Sequence, residues 1–382
     1  MITSALFGSG VSYFSDIPGI VSITERVLNG ESVGRQADSS YYINGGQRYL
    51  QPHVTDNLKL ISYLKSDIDQ FYSHLNRNHY TNYEDIYYVL RQIKDSFNLE
   101  FENPAVNSLL SGLYSIEEFN PERLPGVVQE ATKYIECVVW QMIAWRKYAC
   151  DQFAIITDLI DQLNLRNIIS LNHDLVLDTY LSENKIPYDD GFELRDHKFP
   201  QWSGIPKETE NIRYLKLHGS VDWFEVGVEK PHRHEEILKL PTNIYVERIR
   251  DLDDSLWGVT DGTPKLLIGT FNKMLGYLSD IFEVLYDSFK ERLKETNVLI
   301  VSGYGFADKG INTQLSYWLN NDHAEKMIII HPYLDDLLKN ARGNFHLNIF
   351  NGYWMHPKVE IINKKFEDTT VSEIQEATKL GK

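Results

Sequence analysis

The sequence predicts an α/β protein with a Rossmann-like, mainly parallel sheet that carries helices on both faces. Short segments rich in Ile, Leu and Val recur in the second half of the chain, each bounded by polar residues or glycine. Helical patterns separate several of them, and uninterrupted apolar strands between helices are typical of a parallel sheet buried on both faces. Such sheets bind ligands at the carboxyl ends of their strands, so the residues that follow each strand are the candidates for function.

Length, charge and cysteine content narrow the function classes. The chain has 382 residues, enough for a large α/β domain with an insertion or for two domains. Its formal net charge of −16 argues against binding to phosphate backbones, so no direct nucleic-acid binding is expected. The only two cysteines, Cys137 and Cys150, cannot form a four-thiolate zinc site, so we expect no zinc module and no metal.

The cellular setting is predicted from sorting signals. No run of about 18 apolar residues is present, so no membrane contact is expected. The first residues lack a basic region followed by an apolar one, so we expect no signal peptide. Two thiols in a chain of this size fit a reducing compartment, and we expect a cytoplasmic protein.

Six apolar segments are predicted to be strands. The first, residues 2–7, stops at Gly8-Ser9-Gly10-Val11-Ser12, where paired glycines permit a close approach of the backbone. The others are residues 167–171, 213–217, 265–269, 297–303 and 326–331. We assign residues 1–52 and 166–382 to the Rossmann-like domain.

The intervening residues, 53–165, are predicted to form an inserted helical subdomain. Apolar residues there recur at spacings of three and four, which marks one face of a helix. The clearest series is Leu58, Ile61, Leu64, Ile68, Phe71 and Leu75. No strand alternation is visible in this block.

Small, polar or ionisable residues follow four of the predicted strands. Besides the glycine loop, these are Asn172-His173-Asp174, His218-Gly219-Ser220 and Ser302-Gly303-Tyr304-Gly305. The carboxyl ends of parallel strands share one edge of a sheet, so all four groups are expected to face one crevice.

Each group alone has a simpler explanation. The glycine loop lacks the third glycine of the dinucleotide fingerprint and is equally consistent with a tight turn. Asn172 or Asp174 could cap the helix that follows, and His218 could be a core histidine with satisfied hydrogen bonds. The four groups in this order are far more specific than any one of them.

Together these groups resemble the motifs of the sirtuin family. The glycine loop with Ser12, followed by Asp16-Ile17-Pro18-Gly19, is similar to the family's NAD-binding loop. Leu171-Asn172-His173-Asp174 is similar to its Asn-x-Asp motif, and Lys216-Leu217-His218-Gly219 to its catalytic histidine motif. SGYGFADKGIN, at residues 302–312, is similar to a late motif of bacterial sirtuin-like proteins. The resemblance covers about the first 30 residues and most of 165–335, and it leaves out the helical block.

The departures from the family pattern point to one branch of it. The four zinc-binding cysteines of the deacylases are missing, and so is the Phe-Arg that follows Ile-Pro. Leu171 stands where the family favours Gln, and His173 where it favours Ile. The chain is therefore similar to the divergent prokaryotic branch that acts in antiviral defence. Members of that branch degrade NAD, and some assemble with a HerA-type ATPase.

The resemblance implies roles for individual residues. Asn172 would position the ribose and the attacking water, and His218 would act as the base. Asp174 would contact the nicotinamide carboxamide. The remaining residues implied in NAD binding are Gly8, Ser9, Gly10, Ser12, Asp16, Ser302, Gly303 and Tyr304.

The glycine loop has a physical interpretation beside the resemblance. Backbone N–H groups at residues 8–12 can cradle a pyrophosphate at the start of a helix, and a Cβ there would hold the phosphate away. Ser12 adds a hydroxyl donor. Asn312 remains open between a functional residue and an ordinary helix residue.

Other histidines carry weaker signals. His232 and His234, beside Glu235 and Glu236, resemble a metal-binding cluster. A solvated charged loop is the better interpretation, because no set of ligands with regular spacing accompanies them. His331 closes a strand, and a structural role suits it as well as a place near the adenosine.

Three functions are compatible with this pattern. The leading hypothesis is an NAD hydrolase that yields nicotinamide and ADP-ribose, acting as a defence effector that depletes NAD on phage infection. The alternatives are an NAD-dependent protein deacylase and a non-catalytic NAD or ADP-ribose sensor that assembles with an ATPase. By resemblance the partner would be a HerA-type ATPase.

A homo-oligomer formed through the helical block is also expected. The aromatic residues of this block, Tyr87, Tyr88, Trp140 and Trp145, suit interface cores. The alternative is that they pack the insertion internally.

Overall fold

The computed structural model describes most of the chain. The described residues are 1–35, 40–43, 52–75, 80–99, 103–144, 148–229, 234–242, 249–269, 272–350 and 355–379. The strands are β1 Thr3–Phe7, β2 Val33–Arg35, β3 Tyr41–Ile43, β4 Leu165–Ser170, β5 Tyr188–Asp189, β6 Phe192–Glu193, β7 Gln201–Trp202, β8 Ile212–Lys216, β9 Trp223–Val228, β10 His234–Lys239, β11 Leu256–Val259, β12 Val298–Ser302, β13 Lys326–Ile330 and β14 Val359–Ile362.

Some helices lie between these strands, and others follow one another from residue 52 to residue 163 with no strand between them in the described part of the chain. The α-helices are α1 Ile20–Asn29, α2 Pro52–His74, α3 Tyr83–Phe97, α4 Pro104–Tyr114, α5 Leu124–Ala144, α6 Ile155–Leu163, α7 Val176–Glu183, α8 Ile249–Leu252, α9 Asn272–Gly276, α10 Asp280–Glu295, α11 Lys309–Leu319, α12 Leu334–Asn340 and α13 Val371–Lys379. Short 3-10 helices cover Ser9–Ser15, Glu117–Phe119, Asp151–Phe153 and Phe366–Asp368, and a π-helix covers Phe345–Ile349.

Seven parallel strands form the central sheet, in the order β14-β13-β12-β1-β4-β8-β5. Side chains of successive residues point to opposite faces, so the apolar strands feed two cores. One core contains Leu6, Ile169 and Leu215 and is covered by α10, α11 and α12. The other contains Phe7 and Ile168 and is covered by α6, α7 and α13. The predicted fold class is confirmed.

Five of the six predicted strands belong to this sheet, and residues 265–269 do not. Leu266 forms only an antiparallel bridge with Gly219. The Leu267 N–H donates to the His218 carbonyl, and the Lys265 N–H donates to the Trp223 carbonyl. The apolar segment therefore closes the loop after β8, and its prediction as a sheet strand was wrong.

A second, five-stranded sheet was not predicted. Its order is β11-β9-β10-β7-β6, its neighbouring strands are antiparallel, and a separate hairpin pairs β2 with β3. β6 and β7 have two residues each, too few to show an alternation. β10, HEEILK, begins with polar and charged residues, so its sequence pattern is that of a loop.

The chain divides into two compact units. One comprises Met1–Ile17, Arg146–Leu267 and Lys273–Lys382, and it holds both large sheets. The other comprises Pro18–Trp145 and Ile268–Asn272. The helical block was predicted at 53–165, whereas α6, within that range, packs on β4 in the first unit.

The second unit is mainly helical. α5 lies at its centre and packs against α1, α2 and α3. Tyr87 and Trp140 are buried, and the Tyr87 hydroxyl donates to Glu136 at 2.7 Å, so both pack inside this unit. Trp145 lies outside the described residues. Among the described residues, every helix is too short or too polar to cross a membrane.

Candidate active site

Strand register brings four of the predicted groups to one edge of the central sheet. Phe7 pairs with both Ser302 and Ser170, and Ser170 pairs with Lys216. The last residues of β1, β4, β8 and β12 therefore lie in one row. The residues after them open onto the carboxyl edge, where parallel sheets hold their ligands.

The glycine loop is packed against the loop after β12. The Gly8 N–H donates to the Ser302 carbonyl at 3.0 Å, and the Gly10 N–H donates to the Gly303 carbonyl at 2.9 Å. A Cβ on Gly8 would lie 2.5 Å from the Gly303 oxygen, and one on Gly303 would lie 2.4 Å from the Val11 nitrogen. Gly303 also has a φ of +66°, in the left-handed region that favours glycine.

This packing gives the glycines a structural reason. They are required because two backbone segments touch, and a Cβ would collide with the protein itself. The Gly8 and Gly10 N–H groups are hydrogen-bonded to backbone carbonyls, and the roles of Gly8 and Gly10 toward NAD stay a prediction. Ser9 and Asp16 lie on the exposed side of the 3-10 helix and at its end, and Asp16 has a φ of 55°.

Asn172 bridges the first two strand ends. Its Nδ2 donates to the Gly8 carbonyl at 3.1 Å and to Ser12 Oγ at 3.0 Å, and its own N–H donates to Ser170 Oγ. The side-chain oxygen Oδ1 is buried and has no hydrogen-bond partner. An unsatisfied buried carbonyl costs about 1–3 kcal/mol, so this atom is a preformed acceptor for a donor group of a ligand.

Asp174 has a local role as well as a place at the site. Its Oδ1 accepts the Val176 N–H at 3.1 Å, two residues along the chain, and Leu175 lies between it and the first residue of α7. Burial raises the pKa of its carboxyl group, while the charge of Lys216 and a hydrogen bond from Ser12 oppose the change. This contact shapes the turn that leads into α7, and the contact of Asp174 with the nicotinamide carboxamide stays a prediction.

Lys216, the last residue of β8, forms two buried hydrogen bonds. Its side chain is fully buried, and Nζ donates to the Asp174 backbone carbonyl at 2.5 Å and to Asp178 Oδ2 at 2.9 Å. The Tyr214 hydroxyl donates to the same Asp178 oxygen at 2.9 Å. This buried ion pair ties the loop that carries Asn172 to the strand that precedes His218.

His218 is held by a carboxylate and a phenol. Its Nε2 lies 2.6 Å from the Tyr277 hydroxyl and 3.3 Å from Asp308 Oδ2, and the Tyr277 hydroxyl donates to Asp308 Oδ2 at 3.0 Å. The side chains of His218 and Asp308 are only 6% and 7% exposed. Because the Tyr277 proton is committed to Asp308, the imidazole proton belongs on Nε2, and Nδ1 is then the ring nitrogen with the lone pair.

The charge on Asp308 is stabilised by this arrangement. Burial alone would raise the pKa of its carboxyl group, but hydrogen bonding to His218 and the positive charges of His218 and Lys273 lower it to about 2. The result is a permanent negative charge beside the imidazole, as in the Asp–His pairs of acid–base catalysis.

Tyr277 and Asp308 are the functional candidates that the sequence analysis missed. Asp308 lies in the quoted stretch 302–312, but it also caps α11 by accepting the Ile311 N–H at 3.1 Å, which explains an Asp there without any site. Tyr277 follows α9, 59 residues after His218, and no local pattern connects the two.

The loop after β12 is fixed by an internal network. The Tyr304 hydroxyl donates to Asn312 Oδ1 at 2.8 Å, and Asn312 Nδ2 donates to the Phe306 and Arg342 carbonyls. Ser302 Oγ donates to the Ile330 carbonyl. Asn312 is thus a structural residue of this loop, and the roles of Ser302, Gly303 and Tyr304 toward NAD stay a prediction.

His173 adds a second imidazole near the first. The ring centroids of His173 and His218 are 6.2 Å apart. Burial lowers the pKa of His173 well below its ordinary value, and the positive charges of His218, Lys273 and Lys216 lower it further. His173 is therefore neutral at physiological pH.

The histidines outside this edge form no metal centre in the described part of the chain. His234 Nε2 lies 2.6 Å from Glu236 Oε1, and His197 Nε2 lies 3.1 Å from the other oxygen of the same carboxylate. His232 lies outside the described residues. Among the residues described, no group of three or more His, Cys, Asp and Glu side chains is placed to hold a metal ion.

Comparison with known proteins gives one family match. Residues 166–350 match the model of the SIR2-like domain, which is slightly less than half of the chain. No curated protein matches the sequence.

Solved structures show a weak likeness over most of their length. One is a Sir2 homologue in complex with NAD, with a TM-score of 0.40 and 13% identity, covering 99% of this chain and 90% of that one. Another is Sir2 bound to an acetylated peptide, with a TM-score of 0.39 and 10% identity, covering 98% and 92%. Likenesses this weak do not establish a ligand for this chain. The chain therefore carries, at residues 166–350, a region similar to the SIR2-like domain.

Proposed function

We propose that this protein is an NAD glycohydrolase, which uses water to cleave the nicotinamide–ribose bond and releases nicotinamide and ADP-ribose. The observation that supports it most is the pairing of two groups at one sheet edge. Asn172 offers a buried carbonyl without a partner, and His218 is hydrogen-bonded to an ionised carboxylate and a phenol. A region similar to the SIR2-like domain makes NAD the first substrate to test.

The reaction needs orientation and a base more than covalent help. The C–N bond breaks with its electron pair moving to the nicotinamide nitrogen, which neutralises a cationic leaving group. The ribose carbon gains a bond to the oxygen of water, and the proton of that water must be accepted. His218 accepts the proton in this proposal, and Asp308 stabilises the imidazolium that results.

Asn172 has an orienting role in the same proposal. Its Nδ2 is tied to Gly8 and Ser12, which fixes the direction of the amide, so Oδ1 accepts a hydrogen bond from a ribose hydroxyl or from the attacking water. A fixed acceptor lowers the entropy lost when the reactants are aligned.

A direct assay tests this function. The purified full-length protein is mixed with NAD, with and without an acylated peptide, and the products are separated and identified. Nicotinamide and ADP-ribose in the absence of peptide support the hydrolase. Product that requires the peptide would indicate a deacylase, and binding without turnover would indicate a sensor; either result would overturn the proposal.

The defence role and the ATPase partner are proposed from the motif resemblance, the oligomer from the aromatic content of the helical block, and the cytoplasmic location from the two thiols. We propose that the protein is a cytoplasmic defence effector, that it forms a homo-oligomer, and that it assembles with a HerA-type ATPase. Light scattering of the purified chain tests the oligomer, and a monomer at micromolar concentration would refute it. Co-purification with an ATPase encoded beside it tests the partner.

A further inference from the structure

The 3-10 helix Ser9–Ser15, which begins within the glycine loop, needs support from outside itself. It has seven residues, and 3-10 runs longer than about three or four are uncommon because their hydrogen bonds are poorly aligned. Gly8, at its start, has no side chain to cap it, and Asp16, at its end, has a φ of 55°. Ser12, in the middle of this helix, is the residue whose hydroxyl accepts from Asn172 Nδ2. A shift of the helix would therefore move Ser12 and turn the Asn172 amide.

Gln152 supports this helix from its buried side. The residue lies in the 3-10 helix Asp151–Phe153 and is 2% exposed. Its Nε2 donates to the Val11 carbonyl at 3.2 Å and to Ser15 Oγ at 2.7 Å. These two contacts flank Ser12 in the sequence, so one side chain holds the helix on both sides of that residue.

The direction of the Gln152 amide is fixed by its partners. The Val11 carbonyl can only accept, and the Ser15 hydroxyl donates its own proton to the Ala149 carbonyl. Both positions therefore require a donor, and the two N–H groups of a glutamine Nε2 satisfy them at once. A flipped amide would place Oε1 against two acceptors.

The Gln152 side chain has no other hydrogen bond in the described part of the chain. Its buried Oε1 lacks a partner there, and a buried unpaired carbonyl is destabilising. An apolar side chain of the same length would avoid that cost, so stability alone does not favour a glutamine. The next residue, Phe153, is 1% exposed and packs edge-on against Phe7, the last residue of β1, with ring centroids 5.6 Å apart. The amide is thus presented from a position anchored in the core.

We propose that Gln152 is a positioning residue for Asn172. Gln152 fixes Val11 and Ser15, the helix between these two residues fixes Ser12, and Ser12 fixes the direction of the Asn172 amide. Gln152 itself touches neither substrate nor the reacting atoms in this proposal. The catalytic meaning of the arrangement rests on the proposed function, whereas its effect on the Asn172 amide does not.

The state of the Asn172 amide is measured first, without reference to any reaction. Its side-chain signal is assigned in nitrogen-15 NMR spectra of the deuterated full-length protein by its loss in Asn172→Ala. Gln152→Met keeps the length of the side chain but has no N–H group. We expect this variant to shift the Asn172 signal and to speed the hydrogen exchange of its amide protons at least about tenfold. An unchanged signal and exchange rate in Gln152→Met overturn the proposal.

A control and a milder variant accompany this measurement. Gln162→Met is the matched control, since Gln162 is an exposed glutamine of α6 that donates to Asp158, and its Asn172 signal should be that of the wild type. Ser15→Ala removes one of the two contacts of Gln152 and should shift the signal in the same direction by a smaller amount. It replaces Gln152→Met if that variant does not fold, and an unchanged signal in Ser15→Ala then overturns the proposal.

Rates separate positioning from a general loss of stability. Gln152→Met should lower the rate of NAD cleavage at saturation about tenfold in the wild-type background. In the Asn172→Ala background it should lower the remaining rate by less than about twofold, because no amide is left to position. Equal losses in the two backgrounds overturn the proposal. If the wild type does not cleave NAD, the proposed function is refuted, and the NMR comparison alone decides the role of Gln152.

Discussion

Replacing Asp308 with asparagine tests the acid–base part of the proposed mechanism most directly. The carboxylate lies 3.3 Å from His218 Nε2 and accepts a hydrogen bond from Tyr277. Asparagine has the same shape, and its carbonyl oxygen can still accept the Ile311 N–H that caps α11. Asp308→Asn therefore removes a buried charge with little disturbance of the fold.

The expected size of the effect follows from the pKa of Asp308. That pKa is about 2, against an ordinary value of 3.8, although burial alone would raise it. A difference of roughly two units corresponds to about 2–3 kcal/mol of attraction to nearby positive charge. Lys273 supplies part of it, so we expect the loss of Asp308 to slow the step that protonates His218 by about one to two powers of ten.

The assay is the rate of NAD cleavage at saturation, measured from about pH 5 to pH 9, with NAD binding measured separately. A negative charge favours a protonated imidazole, so its removal should move the acid limb of the profile to lower pH. His173, Lys273 and Tyr277 also face or surround His218 and are unchanged in Asp308→Asn.

Tyr277→Phe is the matched variant. It removes one hydroxyl and keeps the Asp308 charge, so we expect a loss of only severalfold and an acid limb at its original position. If Asp308→Asn cleaves NAD at the wild-type rate with the wild-type profile, the role given to the Asp308–His218 pair is wrong. A folded variant that loses NAD binding but not the rate at saturation contradicts it as well.

Three further predictions follow from the same structure. Asn172→Ala should lower NAD cleavage by at least about two powers of ten in a protein that still folds, and wild-type turnover would refute its orienting role. Gly303→Ala should destabilise the protein by at least about 2 kcal/mol, because its φ is +66° and a Cβ would meet a backbone nitrogen at 2.4 Å. Gly305→Ala is its control, since a Cβ there has no neighbour within 4 Å, and equal melting temperatures for the two would contradict the packing argument. Lys216→Met should cost about 3–5 kcal/mol in urea unfolding by leaving Asp178 buried without its partner, and recovery in the double variant with Asp178→Leu would confirm that the unpaired charge is the cause.

The sequence by itself determined the sheet and the edge that carries the candidate site. The segments that became β1, β4, β8, β12 and β13 are short, apolar and bounded by polar residues, because strands in a covered parallel sheet are buried on both faces. Parallel pairing then aligns their carboxyl ends, so the placement of Asn172 and His218 at one edge followed from local pattern alone.

Tertiary structure decided which atoms those residues meet. The apolar segment 265–269 carries the same local signal as a sheet strand, but it pairs with the loop after β8, and only packing reveals that. Gly8 and Gly10 were correctly marked as places of close approach, yet the approaching group is the backbone at Gly303, about 290 residues along the chain.

The partners of His218 show the same limit. Asp308 and Tyr277 contact the imidazole from 90 and 59 residues away along the chain. The sequence does not single out either one, because Asp308 is explained as a helix cap and Tyr277 is one of 23 tyrosines. The unpaired carbonyl oxygen of Asn172 is equally invisible in the sequence, since it depends on the contacts that the amide nitrogen makes with Gly8 and Ser12. Periodicity records which side of an element is buried; the identity of the neighbour is set by contacts between distant segments, which no local pattern contains.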